Sequence, residues 1–192
     1  MAKRLASGRR EDLLDGMMQI IAARGFSDVR VSEIAAELHC SVASLYKIAP
    51  SKDSLVLLAI GRWQERTFAN LEVCVERGTT AAERARCYFI EGAESLRPLS
   101  PAFIADARRF ESTRSWWWTN VSCRFVDRFV ELVLLAQEAG EVRPINTAFL
   151  GEMLRVLAPL TADARVLGEA GLSAADATLE VDRVIWEGLS VS

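Results

Sequence analysis

The stretch that decides the fold reads VSEIAAELHCSVASLYKIAP and covers residues 31–50. Its apolar spacing predicts two short helices, over about 31–38 and about 42–48, that meet at a tight turn. Such a helix pair needs a small side chain where the helices cross, and Ala35 occupies that position. The apolar side chains around the crossing are Ile34, Leu38, Cys40, Leu45 and Ile48. These offsets predict a helix-turn-helix whose second helix enters the major groove of DNA.

The turn between the two short helices favours glycine, because its backbone needs a positive φ. This chain has His39 at the turn instead. Histidine is one of the side chains enriched among non-glycine residues in that conformation. We therefore expect His39 to adopt a positive φ and to leave the helix pair intact.

Helices are also predicted on both sides of this stretch. Apolar residues recur at the i, i+3, i+4, i+7 spacing from Leu14 to Ile21, and Gly25 ends that helix. After the stretch, Ser51 is the predicted N-cap of a long helix that reaches Arg77. The helix-turn-helix is thus expected to lie between two longer helices.

The rest of the sequence is helical in pattern and carries almost no strand signal. The predicted helices cover about 81–96, 101–112, 115–139, 146–170 and 174–190, with Thr80, Ser100, Asn146 and Ser173 as caps and Pro159 as an interruption. The fold class is therefore all-α, with about nine helices. Residues 1–50 are expected to form an N-terminal helix-turn-helix DNA-binding domain, and residues 51–192 a C-terminal helical domain.

Composition excludes several classes of protein. The chain of 192 residues is 51% hydrophobic and 26% charged, which excludes a disordered or fibrous chain. Its four cysteines form no CxxC pair and it has one histidine, so we expect no metal site and no disulfide framework. A Gly-rich phosphate loop and a GxSxG motif are both absent, so we expect neither a cofactor nor an enzyme. Without a signal peptide or an apolar span, the chain is expected to be soluble, reduced and cytoplasmic, with no membrane partner.

Charge is distributed unevenly along the chain. The net charge is −3, but residues 1–55 carry eight Lys and Arg against seven Asp and Glu. Four of these basic residues, Lys3, Arg4, Arg9 and Arg10, lie in residues 1–10, which contain no acid. A basic arm of this kind supplies phosphate contacts while the rest of the chain stays acidic.

The residues within and around the helix pair resemble the amino-terminal domain of TetR-family transcriptional regulators. The resemblance rests on Ala23-Arg24-Gly25-Phe26, Ile34-Ala35, Ser41, Ser44, Leu45-Tyr46, Lys47 and Pro50-Ser51-Lys52 before a long helix. It covers residues 9–55 in motif, and the whole chain in length and helix count. It implies a double-stranded operator DNA partner, a homodimer and a ligand-binding body.

The resemblance also implies roles for individual residues. Tyr46 matches a tyrosine that contacts phosphate, and Lys52 matches a lysine that clamps phosphate at the start of the long helix. Ser41 and Ser44 hold small polar positions on the recognition helix, and Lys47 is expected to reach a base edge or a phosphate.

Three positions depart from the family pattern. Val42 replaces a frequent lysine and is expected to pack on a thymine methyl group, Ala49 replaces a frequent phenylalanine, and Arg30 replaces the usual capping threonine or serine. Arg30 is expected to contact phosphate, with Asp28 or Ser32 as the helix cap. These departures predict DNA binding with a moderate number of phosphate contacts.

The residues after 55 carry aromatic side chains suited to an apolar small-molecule effector. Trp116, Trp117 and Trp118 point about 100° apart on a helix, so they cannot all face one core. Phe110 and Trp117 are the candidate ligand-binding residues. The last two predicted helices carry apolar stripes suited to pairing with a second copy of the chain. Cys87 and Cys123 are open to two interpretations, redox sensors or buried inert thiols, and inert thiols are favoured.

Two functions from different classes remain open after the sequence. The first is a ligand-responsive repressor that an apolar small molecule releases from operator DNA. The second is a protein of the same architecture that no longer binds DNA and carries a lipid or small molecule. A working phosphate clamp, built from Tyr46, Lys47, Lys52 and the arm, distinguishes the first from the second.

Overall fold

The computed structural model describes the backbone of residues 2–111, 113 and 123–189, and side chains in those ranges from residue 8 onward. Within these ranges the chain is all-α, as predicted. The described helices are α1 (Ala2–Arg24), α2 (Val31–Glu37), α3 (Val42–Tyr46), α4 (Lys52–Arg77), α5 (Ala81–Glu94), α6 (Pro101–Arg109), α7 (Cys123–Glu138), α8 (Thr147–Leu157), α9 (Ala164–Ala170) and α10 (Ala174–Leu189), with a 3-10 turn over Leu160–Ala162.

The chain divides into two compact units. The first unit comprises Met1–Arg66 and Pro98–Arg109, and the second comprises Thr67–Arg97 and Phe110–Ser192. Helix α4 therefore contributes its first part to one unit and its last part to the other, while α6 belongs to the first unit.

The core of the first unit is built from the helix-turn-helix and its neighbours. Met17 and Ile21 of α1, Ile34 of α2, Leu45 of α3 and Leu55 of α4 are all buried almost completely. Each such side chain contributes about 1.5–3 kcal/mol when it leaves water. The apolar spacing of residues 31–50 is thus explained by burial in the core of the first unit.

Most of the predicted helix caps are observed. The side-chain oxygens of Ser51, Thr80, Ser100, Asn146 and Ser173 accept hydrogen bonds from the backbone N–H three residues later, at 2.9–3.1 Å. Each cap satisfies one of the free N–H groups in the first turn of its helix. These five helices therefore begin where the sequence indicates.

The cap of α2 differs from the expectation. Arg30 is at the N-cap with extended backbone angles, and neither Asp28 nor Ser32 caps the helix. The carboxylate of Glu33 instead accepts a hydrogen bond of 3.4 Å from the backbone N–H of Arg30. A carboxylate in the first turn also interacts favourably with the positive end of the helix dipole.

The core of the second unit is a cluster on α4, α5, α7, α8 and α10. Its most deeply buried side chains include Leu71, Tyr88, Phe89, Phe129 and Val133. Aromatic rings meet at its centre, where Phe89 and Phe129 lie edge to face with centroids 4.8 Å apart.

Cys74 and Cys87 form a disulfide that joins α4 to α5 within the second unit, with Cα atoms 6.1 Å apart. The expectation of a reduced chain, with Cys87 as a buried inert thiol, is therefore wrong. No CxxC spacing marks the pair in the sequence, because the two residues meet only when the helices pack. Cys40 and Cys123 remain free thiols and are half-buried.

The predicted helix over 146–170 is divided into three pieces. Helix α8 ends at Leu157, just before Pro159, and a 3-10 turn follows. Asp163 then caps α9, since its carboxylate accepts hydrogen bonds from the N–H groups of Arg165 and Val166. Of the predicted helix over 115–139, the structure describes residues 123–138 as helical, and Trp116, Trp117 and Trp118 lie outside the described residues.

Candidate functional sites

The helix-turn-helix has the predicted backbone geometry. His39 has a φ of 49°, in the left-handed region. The N–H of Cys40 donates to the carbonyl of Ala35 at 2.9 Å, and the N–H of His39 donates to Ala36 at 3.1 Å. These bonds close the end of α2 and direct the chain into α3.

The side chains predicted to contact DNA lie on the outside of this motif. Arg30, Ser41 and Lys47 are exposed, and Tyr46 is 45% exposed although it is a large aromatic side chain. An exposed phenol and an exposed ammonium on adjacent residues can both donate hydrogen bonds to phosphate oxygens.

Val42 and Ser44 are half-buried on the same short helix. The hydroxyl oxygens of Ser41 and Ser44 lie 2.8 Å apart, and the backbone N–H of Ser44 donates to Ser41. The two serines therefore fix the start of α3 through local hydrogen bonds.

Lys52 is held in place by the loop that follows α1. Its ammonium Nζ donates to the carbonyl of Ser27 at 2.9 Å. On the same loop, the N–H groups of Phe26 and Ser27 donate to Asp106 Oδ2 at 2.6 and 2.8 Å. The position of Lys52 at the start of α4 therefore depends on a carboxylate of α6.

Sequence reasoning missed Asp106, because it lies about eighty residues from the loop it organises. One local signal was present in Gly25. This glycine has a φ of +77°, and a Cβ at that position would lie 2.6 Å from Asp106 Oδ2. Only glycine permits both this backbone conformation and the close approach of the carboxylate.

An ion-pair network joins α1 to α4 in the first unit. Arg62 donates to both carboxylate oxygens of Asp15, at 2.8 and 3.1 Å, and Arg66 donates to Asp15 at 2.7 Å. The hydrogen bond to Asp15 raises the pKa of Arg62. In the same helix α1, the basic residues Arg9 and Arg10 of the predicted arm are exposed, and the arm is helical from residue 2.

The second unit contains a cavity of about 400 Å³ with a charged lining. The residues around it are Phe68, Glu72, Tyr88, Cys123, Arg124, Asp127, Arg128 and Glu131. This volume suits a small molecule. Phe110 is half-buried in the same unit and does not line this cavity, and Trp117 lies outside the described residues, so both assignments stay predictions.

Most charges of the cavity neutralise one another. The guanidinium of Arg128 forms two hydrogen bonds with Glu72, at 3.0 and 2.9 Å, and a third with Glu131 at 3.1 Å. These contacts raise the pKa of Arg128. Asp127 forms an ion pair with Arg155 of α8. The carboxylates of Glu72, Asp127 and Glu131 are therefore all engaged by arginines.

Two hydrogen-bond donors of the cavity, Tyr88 and Arg124, have no polar partner among the described residues. Tyr88 is fully buried, and its hydroxyl has no hydrogen-bond partner among the described residues. Burial raises the pKa of Tyr88, so the phenol stays protonated as a donor. The guanidinium of Arg124 lies 4.1 Å from the ring centroid of Phe68, and no carboxylate in the described part of the chain forms an ion pair with it.

Two further features concern the described residues only. They contain no group of three or more His, Cys, Asp and Glu side chains placed to hold a metal ion. None of their helices combines the length and apolarity that crossing a membrane requires.

This geometry defines a helix-turn-helix protein with a helical second unit. Residues 13–59 match the family of bacterial regulatory proteins described as the tetR family. No curated protein matches the chain in sequence.

Solved structures extend the likeness over nearly the whole chain. A protein from Saccharomonospora viridis, described as a transcriptional regulator in complex with choline, is 19% identical, with a TM-score of 0.72 over 97% of this chain and 99% of that one. A protein of Rhodococcus sp., described as a TetR-family transcriptional regulator, is 19% identical, with a TM-score of 0.68 over 96% and 100%. The ketosteroid transcriptional regulator KstR2 of Mycobacterium tuberculosis is 20% identical, with a TM-score of 0.58 over 96% of each chain.

The TM-scores of these three structures show a common fold. Together with the match of residues 13–59, they confirm the resemblance read from the sequence. The amino-terminal segment is that of the TetR family, and the chain has the fold of TetR-family transcriptional regulators.

Proposed function

We propose that this protein is a ligand-responsive transcriptional repressor that binds operator DNA as a homodimer. Residues 1–50 read the DNA, residues 51–192 bind an effector and dimerise, and the effector releases the DNA. The observation that carries the proposal is the exposed pair Tyr46 and Lys47 on the recognition helix. The fold of the chain, shared with regulators, supports the same function and a cytoplasmic location, and gives no support to an enzyme.

The geometry of the first unit supports the proposed phosphate contacts. Tyr46 and Lys47 project from the end of α3, while Lys52 stands in the first turn of α4. Free N–H groups at a helix N-terminus attract anions, and a lysine beside them adds a full charge. Arg30 and the exposed arginines of α1 extend the basic surface. We assign Ser41, Val42 and Ser44 to the groove-facing side of the recognition helix.

Selection from a random library of double-stranded DNA tests the proposal and reveals the operator sequence at the same time. The wild-type protein should enrich a palindromic site, because a two-fold symmetric dimer reads two equal half-sites. The double variant Tyr46→Phe, Lys47→Ala should enrich no site under the same conditions. Failure of the wild type to enrich any sequence would contradict DNA reading.

An exposed apolar face on α8 supports the homodimer. Phe149 and Val156 are each 70% exposed, and Met153 lies between them at helical spacing. Val184 of α10 is 71% exposed as well. Exposed apolar residues on one face of a helix, as on α8, are typical of a protein interface.

Sedimentation of two charge variants tests this interface. Phe149→Glu combined with Val156→Glu should convert a dimer into monomers, because each carboxylate would be buried without a partner. Leu135→Glu on α7 is the control, since Leu135 is an exposed apolar residue of a different helix and should leave the dimer intact. A wild-type monomer at micromolar concentration would contradict the proposal.

A carrier that does not bind DNA is the second candidate. It is favoured by Val42, which gives the recognition helix one charged group fewer than the family pattern. Ala49 is buried in this structure, so a phenylalanine there would add packing rather than a DNA contact. The DNA selection separates the two candidates, because a carrier enriches no sequence.

A further inference from the structure

We propose that the effector is an amphiphile that carries a carboxylate, and that Tyr88 and Arg124 bind this group in the cavity of the second unit. The inference rests on the proposed function and refines it, since a purely apolar molecule would leave both donors without a partner. The cavity itself supports the inference, together with the phenol of Tyr88 and the guanidinium of Arg124. Neither group has a polar partner among the described residues.

The hydroxyl of Tyr88 needs an acceptor. A buried polar group without a hydrogen bond is costly, so natural proteins rarely keep one without a reason. The four charged groups that act on this hydroxyl are Glu72, Arg124, Arg128 and Glu131. All four line the cavity, and Tyr88 lines it with them.

Arg124 supplies the matching charge. Its guanidinium stacks on Phe68 and keeps its N–H donors available in the described part of the chain. A guanidinium binds a carboxylate through parallel hydrogen bonds, which are stronger than those between neutral groups. Phe68, beneath it, provides apolar surface for the body of the ligand.

The remaining charges argue against a cationic ligand. Glu72 and Glu131 share Arg128, and Asp127 pairs with Arg155. A cation would have to break one of these pairs, and Arg124 already occupies the face of Phe68 that would attract it. An anion breaks none of them.

Isothermal titration calorimetry with three matched probes tests the inference. The probes are 4-phenylbutyrate, 4-phenylbutanol and 4-phenylbutylamine, which share one apolar body and differ in the charge of the end group. Choline, the ligand of one similar regulator, is a fourth probe. Wild-type protein should bind phenylbutyrate about tenfold or more tightly than the amine.

Two variants locate the carboxylate. Tyr88→Phe should weaken phenylbutyrate binding about fivefold, as expected for one hydrogen bond. Its melting temperature should not fall, because the hydroxyl it removes has no partner among the described residues. Arg124→Gln should abolish the preference for phenylbutyrate over the amine.

Matched controls separate the cavity from the rest of the chain. Tyr46→Phe alters the other tyrosine, which lies in the first unit, and Arg165→Gln alters an exposed arginine of α9. Both should bind phenylbutyrate as the wild type does.

The outcomes are distinct from those of the proposed function. Tighter binding of the amine or choline, equal binding of the three matched probes, or no binding of any probe at millimolar concentration would overturn the inference. DNA selection is run on the same samples. A protein that enriches a DNA site but shows no preference for phenylbutyrate refutes only the inference. One that prefers phenylbutyrate but enriches no DNA refutes only the regulator.

Discussion

The two units of this protein arrange their polar groups in opposite ways. In the first unit, Tyr46 and Lys47 are exposed and adjacent on the recognition element. In the second unit, Arg128 reaches across to Glu72, 56 positions away in sequence, and Tyr88 is buried. One site is built from adjacent residues, and the other from residues that meet only in the folded chain.

This difference determines what each site can bind. Exposed donors at a helix end suit a long, flat polyanion that approaches from solvent. Most charged groups of the cavity form ion pairs with one another. The remaining hydrogen-bond donors therefore suit a small molecule that carries a single acceptor group. Substitutions in each unit should therefore change one kind of binding and leave the other intact.

The strongest change is expected at the recognition element. The double variant Tyr46→Phe, Lys47→Ala should weaken DNA binding about a hundredfold, because it removes two charge-assisted contacts to phosphate. Fluorescence anisotropy on the selected duplex measures the change. The melting temperature and phenylbutyrate binding should stay at wild-type values. A parallel loss of phenylbutyrate binding would contradict the claim that the two sites bind their ligands independently.

A smaller effect is expected at the carboxylate that organises Lys52. Asp106→Ala removes the acceptor of two backbone N–H groups, and should lower the free energy of unfolding by about 2 kcal/mol. Urea denaturation measures it. Arg109→Ala, at an exposed position of the same helix, should change the free energy by less than about 0.5 kcal/mol. Equal effects of the two variants would show that Asp106 has no special role.

The third effect concerns alkaline pH and the second unit. Burial raises the pKa of Tyr88, so above pH 10 the unfolded chain loses this proton while the folded chain keeps it. The free energy of unfolding should therefore fall by about 1 kcal/mol between pH 10 and pH 11 in the wild type, relative to Tyr88→Phe.

Denaturant titrations at the two pH values measure this difference. Tyr46→Phe is the control and should behave as the wild type does. Identical pH dependence of wild type and Tyr88→Phe would show that water reaches the hydroxyl of Tyr88.

The weakest effect is expected at the exposed capping box of α5. Hydrogen bonds from the side chain and backbone of Thr79, and from the backbone of Thr80, lower the pKa of Glu83. This contribution to stability is present above the pKa of the unfolded state and is lost as the pH falls below it. Between pH 6 and pH 3, the melting temperature should fall less in Glu83→Gln than in the wild type, whereas Glu76→Gln should match the wild type. An identical fall in all three proteins would contradict the prediction.

The same contrast explains what the sequence could predict. The positive φ of His39 and the helix caps Ser51 and Thr80 could be predicted from the sequence. Each depends only on backbone groups within a few residues. The all-α fold followed from helical periodicity, which is also a local signal. The starts of the helices that follow Ser51, Thr80, Ser100, Asn146 and Ser173 were predicted correctly, because a side-chain cap marks each of them.

The second site was predicted least well, for a physical reason. The bridge from Arg128 to Glu72, the buried hydroxyl of Tyr88 and the disulfide of Cys74 and Cys87 depend on how α4, α5 and α7 pack. No spacing within one helix records these contacts. Aromatic content predicted an apolar pocket at Phe110 and Trp117, which stays a prediction, and the cavity among the described residues has a charged lining.

The most direct test of DNA recognition is anisotropy of the wild-type protein on the selected duplex and on a scrambled duplex, over a series of salt concentrations. We predict affinity for the selected duplex about a thousandfold higher than for the scrambled one. We also predict a decline with salt whose log–log slope is several units, and a smaller slope for Lys47→Ala. Equal, weak binding to both duplexes that disappears near physiological salt would contradict the regulator and favour the carrier.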